Sequence, residues 1–118
     1  MGIAQMLKLQ IIIKKKKMET LSNITPGEIL LEEFLIPLEI TQYRLAKELH
    51  IPATRVAEIV KGNRRITADT ALRLSLYFGN SAKFWLGIQD DFDIENENSL
   101  KTKEFSLIKK MKRDKTSI

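Results

Sequence analysis

The side chains best suited to binding chemistry lie in one short stretch near the middle of the chain. Thr54 and Arg55 are adjacent, and Glu58 follows three residues after Arg55, which places these two on one side of a helix. Arginine can pair with O6 and N7 of guanine, a hydroxyl can donate or accept, and a carboxylate can accept from cytosine N4. We therefore expect these side chains to read DNA bases, with Ala53 touching a thymine methyl group. Glu58 has an alternative role, which is to orient Arg55.

A second set of polar side chains flanks the first and is better suited to phosphate groups. Contacts of this kind position a protein on DNA without reading its sequence. The predicted phosphate contacts are Gln42, Tyr43, Lys61, Asn63, Arg64 and Arg65.

The net charge of +5 over 118 residues is unevenly distributed. Residues 41–66 hold six basic and two acidic residues, a net charge of +4. Residues 25–40, directly before them, hold four Glu and no basic residue, a net charge of −4. A domain with this polarity offers one face to an anionic partner.

The composition excludes several other classes of protein. The absence of cysteine excludes a disulfide scaffold, a Cys-ligated zinc site and thiol chemistry. A single histidine, His50, argues against a His-based triad, and no glycine-rich phosphate loop or pair of catalytic carboxylates is found. Asp90, Asp91 and Asp93 lack the ordered spacing of a calcium loop. We expect neither an enzyme nor a cofactor or metal.

Start and stop signals predict five short helices between residues 24 and 93, without strands, and therefore an all-α bundle. The start signals are Thr25, Thr41, Pro52, Thr67 and either Asn80 or Ser81, and the stop signals are Pro37, Gly62 and Gly79. The predicted inward residues include Phe34, Leu45, Ala46, Val56, Ile59, Leu72 and Phe78, whereas Glu32 and Glu33 are predicted to face outward.

The second helix, predicted over Gln42–Leu49, is separated from the third by about three residues, a connection typical of a helix-turn-helix unit. Ala46 is small enough for the two helices to approach closely. Thr54 and Arg55 then fall in the first turn of the third helix, where a helix in the major groove makes most of its base contacts. The sequence thus predicts a DNA-binding helix-turn-helix domain.

From Thr41 to Arg65 the chain resembles the Cro/repressor-like (lambda-repressor-like) helix-turn-helix superfamily, also called XRE. The matching positions are Gln42, Leu45, Ala46, Val56, Ile59 and residues 61–65. His50 stands where the superfamily usually has glycine in the turn. Histidine adopts the left-handed conformation more readily than most residues, so the turn is expected to form.

The flanking segments are similar to the HigA-type antitoxins. The residues that carry this likeness are Pro26-Gly27-Glu28, residues 31–34, Pro37-Leu38, residues 61–67, residues 71–74, Phe78-Gly79, Phe84-Trp85-Leu86 and Gln89. The resemblance implies a homodimeric protein that binds double-stranded operator DNA, represses its own operon and neutralises a ribonuclease toxin of the same operon. Two alternatives stay open: a stand-alone XRE-type regulator without a toxin, and an adaptor that no longer binds DNA.

A dimer is also expected from affinity, because one such unit binds non-specific DNA with a dissociation constant of only roughly 10⁻⁴–10⁻⁶ M. Two units on half-sites about 34 Å apart would bind far more tightly. The predicted dimer interface comprises Phe84, Trp85 and Ile88, with one of the two aromatic residues directed inward.

The chain is predicted to have three parts: a basic N-terminal extension (residues 1–23), the helix-turn-helix domain (24–93) and a basic C-terminal tail (94–118). We interpret residues 95–99 as a linker before a possible short helix. Met18, after the block Lys14–Lys17, is our candidate for the true start. No apolar run is long enough to span a membrane, and no signal peptide is recognised, so we expect a cytoplasmic protein.

Overall fold

The computed structural model describes residues 23–113, and these form helices joined by short turns, without a strand. The first helix, α1, begins as an α-helix over Pro26–Ile29 and continues as a π-helix over Leu30–Leu35. The others are α2 (Gln42–Leu49), α3 (Ala53–Val60), α4 (Ala68–Phe78), α5 (Ala82–Leu100) and α6 (Thr102–Ser106). The all-α prediction is confirmed, and α6 is the short helix that the sequence suggested in the C-terminal tail. The block Lys14–Lys17 and Met18 lie outside the described residues.

Hydroxyl groups cap several of these helices as the sequence predicts. Thr25 Oγ1 accepts a hydrogen bond from the Glu28 amide, and Thr41 Oγ1 accepts one from the Arg44 amide, each at 3.1 Å. Thr67 occupies the capping position of α4, but its side chain makes no capping hydrogen bond. The bounds predicted for α2 are confirmed residue for residue.

The π-helical part of α1 changes which residues face the core. The Ile36 amide donates to the Leu31 carbonyl five residues back, at 2.9 Å. A wider turn of this kind rotates the following side chains around the helix axis. Glu33 lies within this wider turn and is buried, so its predicted outward orientation is wrong, whereas Glu32 is exposed as predicted.

An aromatic cluster forms the centre of the core. Phe34 and Trp85 are completely buried, with ring centroids 4.8 Å apart, and Phe78 lies 5.0 Å from Phe34. Trp85 Nε1 donates to Asn80 Oδ1 at 2.8 Å. Asn80 is therefore the partner of the indole, and Ser81 is the residue that caps α5, by accepting from the Phe84 amide at 3.0 Å.

The buried face of α4 differs from the predicted one. Ala71 and Leu74 face the core as expected, but Leu72 is 55% exposed and Leu76 is 85% exposed. Ser75 is turned toward the core instead, and its hydroxyl donates to the Leu72 carbonyl at 2.7 Å. The inward prediction for Leu72 is wrong because it lies about 100° around the helix from Ala71.

The last long helix, α5, runs through the segment interpreted as a linker. It has 19 residues and ends at Leu100, so the linker interpretation of residues 95–99 is wrong. Lys101 Nζ lies 2.9 Å from Glu97 Oε2, a pairing one turn apart that favours helix over coil. The five-residue α6 follows at once. Among the described residues, no helix has the length and apolar character needed to cross a membrane.

Candidate nucleic-acid interface

The turn between α2 and α3 is closed by backbone hydrogen bonds around His50. This residue has φ 56° and ψ 45°, the left-handed conformation expected from its position. The His50 amide donates to Lys47 O at 3.2 Å, and the Ile51 amide donates to Ala46 O at 3.1 Å. This pattern ends α2 abruptly and directs the chain into α3.

Replacing His50 with glycine is expected to raise the free energy of unfolding by up to about 1 kcal/mol. Glycine removes the left-handed penalty of about 1–2 kcal/mol and adds an unfolded-state entropy cost of roughly 0.5–1 kcal/mol. Urea unfolding of the two proteins measures the difference. His50→Val, which cannot adopt this conformation without strain, should be less stable than wild type; a variant as stable as the glycine one would contradict the argument.

The helix-turn-helix unit buries one side of α3 and leaves the predicted reading side accessible. Val56 and Ile59 are buried against the core. Ala53 and Thr54, in the first turn, are exposed, and the Arg55 side chain is 29% exposed. The first turn of α3 therefore presents the types of side chain that we predicted for base contacts.

Glu58 does not pair with Arg55, so that alternative role is wrong. Its Oε2 accepts from Arg64 Nε at 3.2 Å. Both side chains are nearly half exposed, and an ion pair of this kind contributes at most about 1 kcal/mol to stability. A phosphate group can therefore replace the carboxylate at Arg64 at small cost.

Arg55 instead pairs with a residue outside the helix-turn-helix unit. Its Nη1 lies 3.1 Å from Oδ2 of Asp69, in the first turn of α4. The same oxygen accepts from Arg73 Nε at 3.0 Å, and Arg73 Nη1 donates to the Leu49 carbonyl at 2.8 Å. A chain of hydrogen bonds thus joins the last turn of α2, the first turn of α4 and the exposed side of α3.

The carboxyl group of Asp69 is held in its charged form by these two arginines. The hydrogen bond from Arg73, with a smaller contribution from Arg55, lowers the pKa of Asp69 below its ordinary value of 3.8. A lowered pKa means that the pairing contributes fully above that ordinary value and is lost as the pH falls through the folded-state pKa. Both ion pairs of Asp69 therefore persist throughout the neutral range.

The predicted phosphate contacts lie in two segments of the chain, one before α3 and one after it. Gln42 and Tyr43 lie in the first turn of α2, where backbone N–H groups lack partners within the helix, and Tyr43 is largely exposed. Lys61 and Asn63 are exposed directly after α3. These four side chains lie at the start of α2 and directly after α3, and their contact with phosphate groups stays a prediction.

A clamp from α5 fixes the last part of this basic segment. Gln89 is buried, and its Oε1 accepts from the Ile66 amide at 2.7 Å. Its Nε2 donates to Oδ1 of Asp93 at 3.0 Å, and the other oxygen of Asp93 pairs with Arg65 at 2.6 Å. Local sequence signals do not indicate this clamp, because Ile66 and Gln89 lie 23 residues apart and Arg65 and Asp93 lie 28 apart.

The three residues predicted for a dimer interface differ in their exposure. Trp85 has no exposed surface, and its indole is satisfied within the core, so assigning it to an interface is wrong. Phe84 and Ile88 pack against the core and are partly exposed.

This chain is similar in sequence to several known helix-turn-helix proteins. Residues 31–85 match the profile of the helix-turn-helix family HTH_3. Virulence-associated protein I of Dichelobacter nodosus is 51% identical over 72 residues, which cover 61% of this chain and 67% of that protein. Antitoxin HigA-1 of Vibrio cholerae is 31% identical over 86 residues, 73% of this chain and 81% of the antitoxin. The chain belongs to the HigA family of helix-turn-helix antitoxins.

A solved member of the HigA family shows the same fold. The structure of Pseudomonas aeruginosa antitoxin HigA with the higBA promoter superposes with a TM-score of 0.72 at 36% identity, and covers 75% of this chain and 97% of that one. The Cro/repressor-like fold predicted from the sequence is confirmed. HigA-type proteins are a DNA-binding family without enzymatic activity, so this chain is not an enzyme.

Proposed function

We propose that this HigA-family chain binds the operator of its own operon as a homodimer, represses that operon and neutralises a cognate ribonuclease toxin. The proposal depends most on the arrangement of side chains in the first turn of α3. It presents Thr54 and a restrained Arg55 on an accessible side, next to the basic segment that follows the helix. The P. aeruginosa HigA relative, solved with promoter DNA, supports the same mode of binding.

In this proposal, base reading and phosphate binding are divided between two groups of side chains. The base contacts are Ala53, Thr54, Arg55 and Glu58, and the phosphate contacts are Gln42, Tyr43, Lys61, Asn63, Arg64 and Arg65. The Glu58 carboxylate uses Oε2 for Arg64, so Oε1 is free to accept from a cytosine amino group while the pair stays in place. The ion pair therefore joins a proposed phosphate contact to a proposed base contact.

The dimer is proposed to form through apolar surface on α4 and α5. These helices pack against each other, and Phe84 and Ile88 of α5 are partly exposed. Leu72 and Leu76 of α4 are still more exposed, and they extend the apolar surface available to a second copy. Leu72 and Leu76 are one turn apart, so they lie on one side of α4, where a second copy would cover both.

For the toxin we propose an electrostatic contact with α1 and the turn after it. Glu28, Glu32 and Glu39 are exposed there and lie within a segment that carries no basic residue. A ribonuclease, which must bind an anionic substrate, commonly presents basic surface that these carboxylates would attract. The acidic segment precedes the helix-turn-helix unit in the chain, so toxin and DNA would contact different residues.

Co-expression of the full chain with the product of its neighbouring gene tests both parts of the proposal. We expect the two proteins to co-purify, cell growth to require the chain when the neighbour is expressed, and a reporter behind the operon's own promoter to be repressed. A control that carries Glu28→Lys and Glu32→Lys should still repress the reporter but lose the neighbour on purification.

The outcome of that experiment also decides between antitoxin and stand-alone regulator. Repression without a harmful or co-purifying neighbour would overturn the antitoxin part and leave a regulator. Co-purification without repression would overturn the operator-binding part.

A further inference from the structure

The most informative feature that the proposed function does not use is the carboxylate of Asp69. It accepts hydrogen bonds from two arginines through one oxygen: Arg55 Nη1 at 3.1 Å and Arg73 Nε at 3.0 Å. One of these arginines belongs to the reading side of α3, and the other belongs to α4 itself. Asp69 therefore links the predicted base-reading arginine to a helix outside the helix-turn-helix unit.

The carboxylate is anchored independently of Arg55. Arg73 is one turn further along α4, and its Nη1 donates to the Leu49 carbonyl at the end of α2 at 2.8 Å. Its Nε donates to Asp69 Oδ2 at the same time. The Arg73 guanidinium therefore links α2 to α4 and fixes the position of the Asp69 carboxylate. Arg55 is thus held by a group whose own position is fixed by two helices.

We propose that Asp69 is a specificity-determining positioning residue that holds the Arg55 guanidinium ready for a base before DNA arrives. This inference rests on the proposed operator binding. Free arginine side chains have many rotamers, and confining one in advance reduces the entropy lost when it docks.

The hydrogen-bond inventory of Arg55 allows both roles at once. A guanidinium has five N–H donors, and the contact with Asp69 uses Nη1. The donors on Nη2 and Nε point in other directions and can pair with the O6 and N7 atoms of guanine. Asp69 can therefore stay bound to Arg55 while the arginine reads a base.

Stability alone is a poor explanation for the Asp69 pairs. The Asp69 side chain is 56% exposed, and exposed ion pairs add little to the free energy of unfolding. A carboxylate this close to a DNA-binding side chain also repels phosphate groups, so it weakens binding to every sequence. Its favourable effect, in this proposal, is on the choice of sequence.

The two effects predict different outcomes of Asp69→Asn for the ratio of affinities for operator over shuffled DNA, which stays unchanged in the first case and falls in the second. If the carboxylate acts only through its charge, removing it should tighten binding to all DNA equally. If it positions Arg55, the ratio of affinities for operator over shuffled DNA should fall by about 3- to 10-fold, a smaller loss than that from removing the arginine itself.

The experiment uses the full chain, a duplex from the region upstream of its own gene and a shuffled duplex of the same composition. Fluorescence anisotropy gives both dissociation constants for wild type, Asp69→Asn, Arg55→Ala and the double variant. Asp91→Asn, an exposed position on α5, is the control for removing one negative charge. Urea unfolding shows that each variant is folded.

We expect Asp69→Asn to lower the affinity ratio and Asp91→Asn to leave it unchanged. In the Arg55→Ala background, Asp69→Asn should change the ratio no further, because the side chain that it positions is gone. An Asp69→Asn ratio equal to that of wild type, or an equal fall in both backgrounds, would overturn the inference. A wild-type protein that does not distinguish the two duplexes would instead overturn the proposed operator binding.

Discussion

Replacing Gly27 with alanine is expected to lower the free energy of unfolding by about 3 kcal/mol, the upper range for overpacking a core. A Cβ atom at this position would lie 1.8 Å from the Ile59 carbonyl oxygen and 2.9 Å from the Val60 Cα. These are backbone atoms of the last turn of α3, so no side-chain rotation relieves the clash. The start of α1 and the end of α3 would have to separate.

Gly87→Ala is the matched control for this experiment. Gly87 lies inside α5, and apart from the adjacent residues and the backbone of its own helix nothing lies within 4 Å of the Cβ that alanine would add. Alanine is favoured over glycine in a helix by roughly 0.5–1 kcal/mol, so this variant should be more stable than wild type. Urea unfolding measures both. If the two variants shift stability in the same direction, the close approach of α1 to α3 is contradicted.

The second large effect is expected at Arg55. Arg55→Ala should lose about 1–3 kcal/mol of binding to operator DNA, because the bidentate contact with guanine is removed. Preference should relax at one base-pair position, and binding to shuffled DNA should change much less. Anisotropy titrations on a panel of operators with single base-pair changes would locate that position.

Comparing Arg64→Ala with Arg55→Ala distinguishes a phosphate contact from a base contact. Arg64 is assigned to a phosphate, so its loss should weaken binding to all sequences and reduce the slope of log K against log salt by about one unit. The Arg64 substitution should leave the order of preference among operators intact. If both variants have the same sequence-independent effect, the division between base and phosphate contacts is wrong.

Local signals were sufficient to predict the helix-turn-helix unit. The bounds of α2 followed from a threonine cap at one end and the His50-Ile51-Pro52 turn at the other. The end of α3 followed from Gly62, which has φ 84° and needs the conformational freedom of glycine. Signals of this kind act within a few residues, so they can be read from the chain before it is folded.

Features that depend on distant parts of the chain could not be read in the same way. The spacing of Asp69 and Arg73, one helical turn apart, indicates that they pair, but nothing in the sequence shows that Arg55 is the third member. Residues 95–99 are polar on all sides, so they lack the apolar stripe by which helices are recognised, although α5 includes them.

The central claim is that two copies of this chain read operator DNA through the first turn of α3. Footprinting of the full chain on the region upstream of its own gene, at physiological salt, tests that claim most directly. We expect two protected half-sites whose centres are one helical turn, about 34 Å, apart. We also expect Arg55→Ala to abolish this pattern at concentrations where wild type gives it. Uniform protection without a preferred site, or an identical footprint with Arg55→Ala, would contradict operator reading through α3.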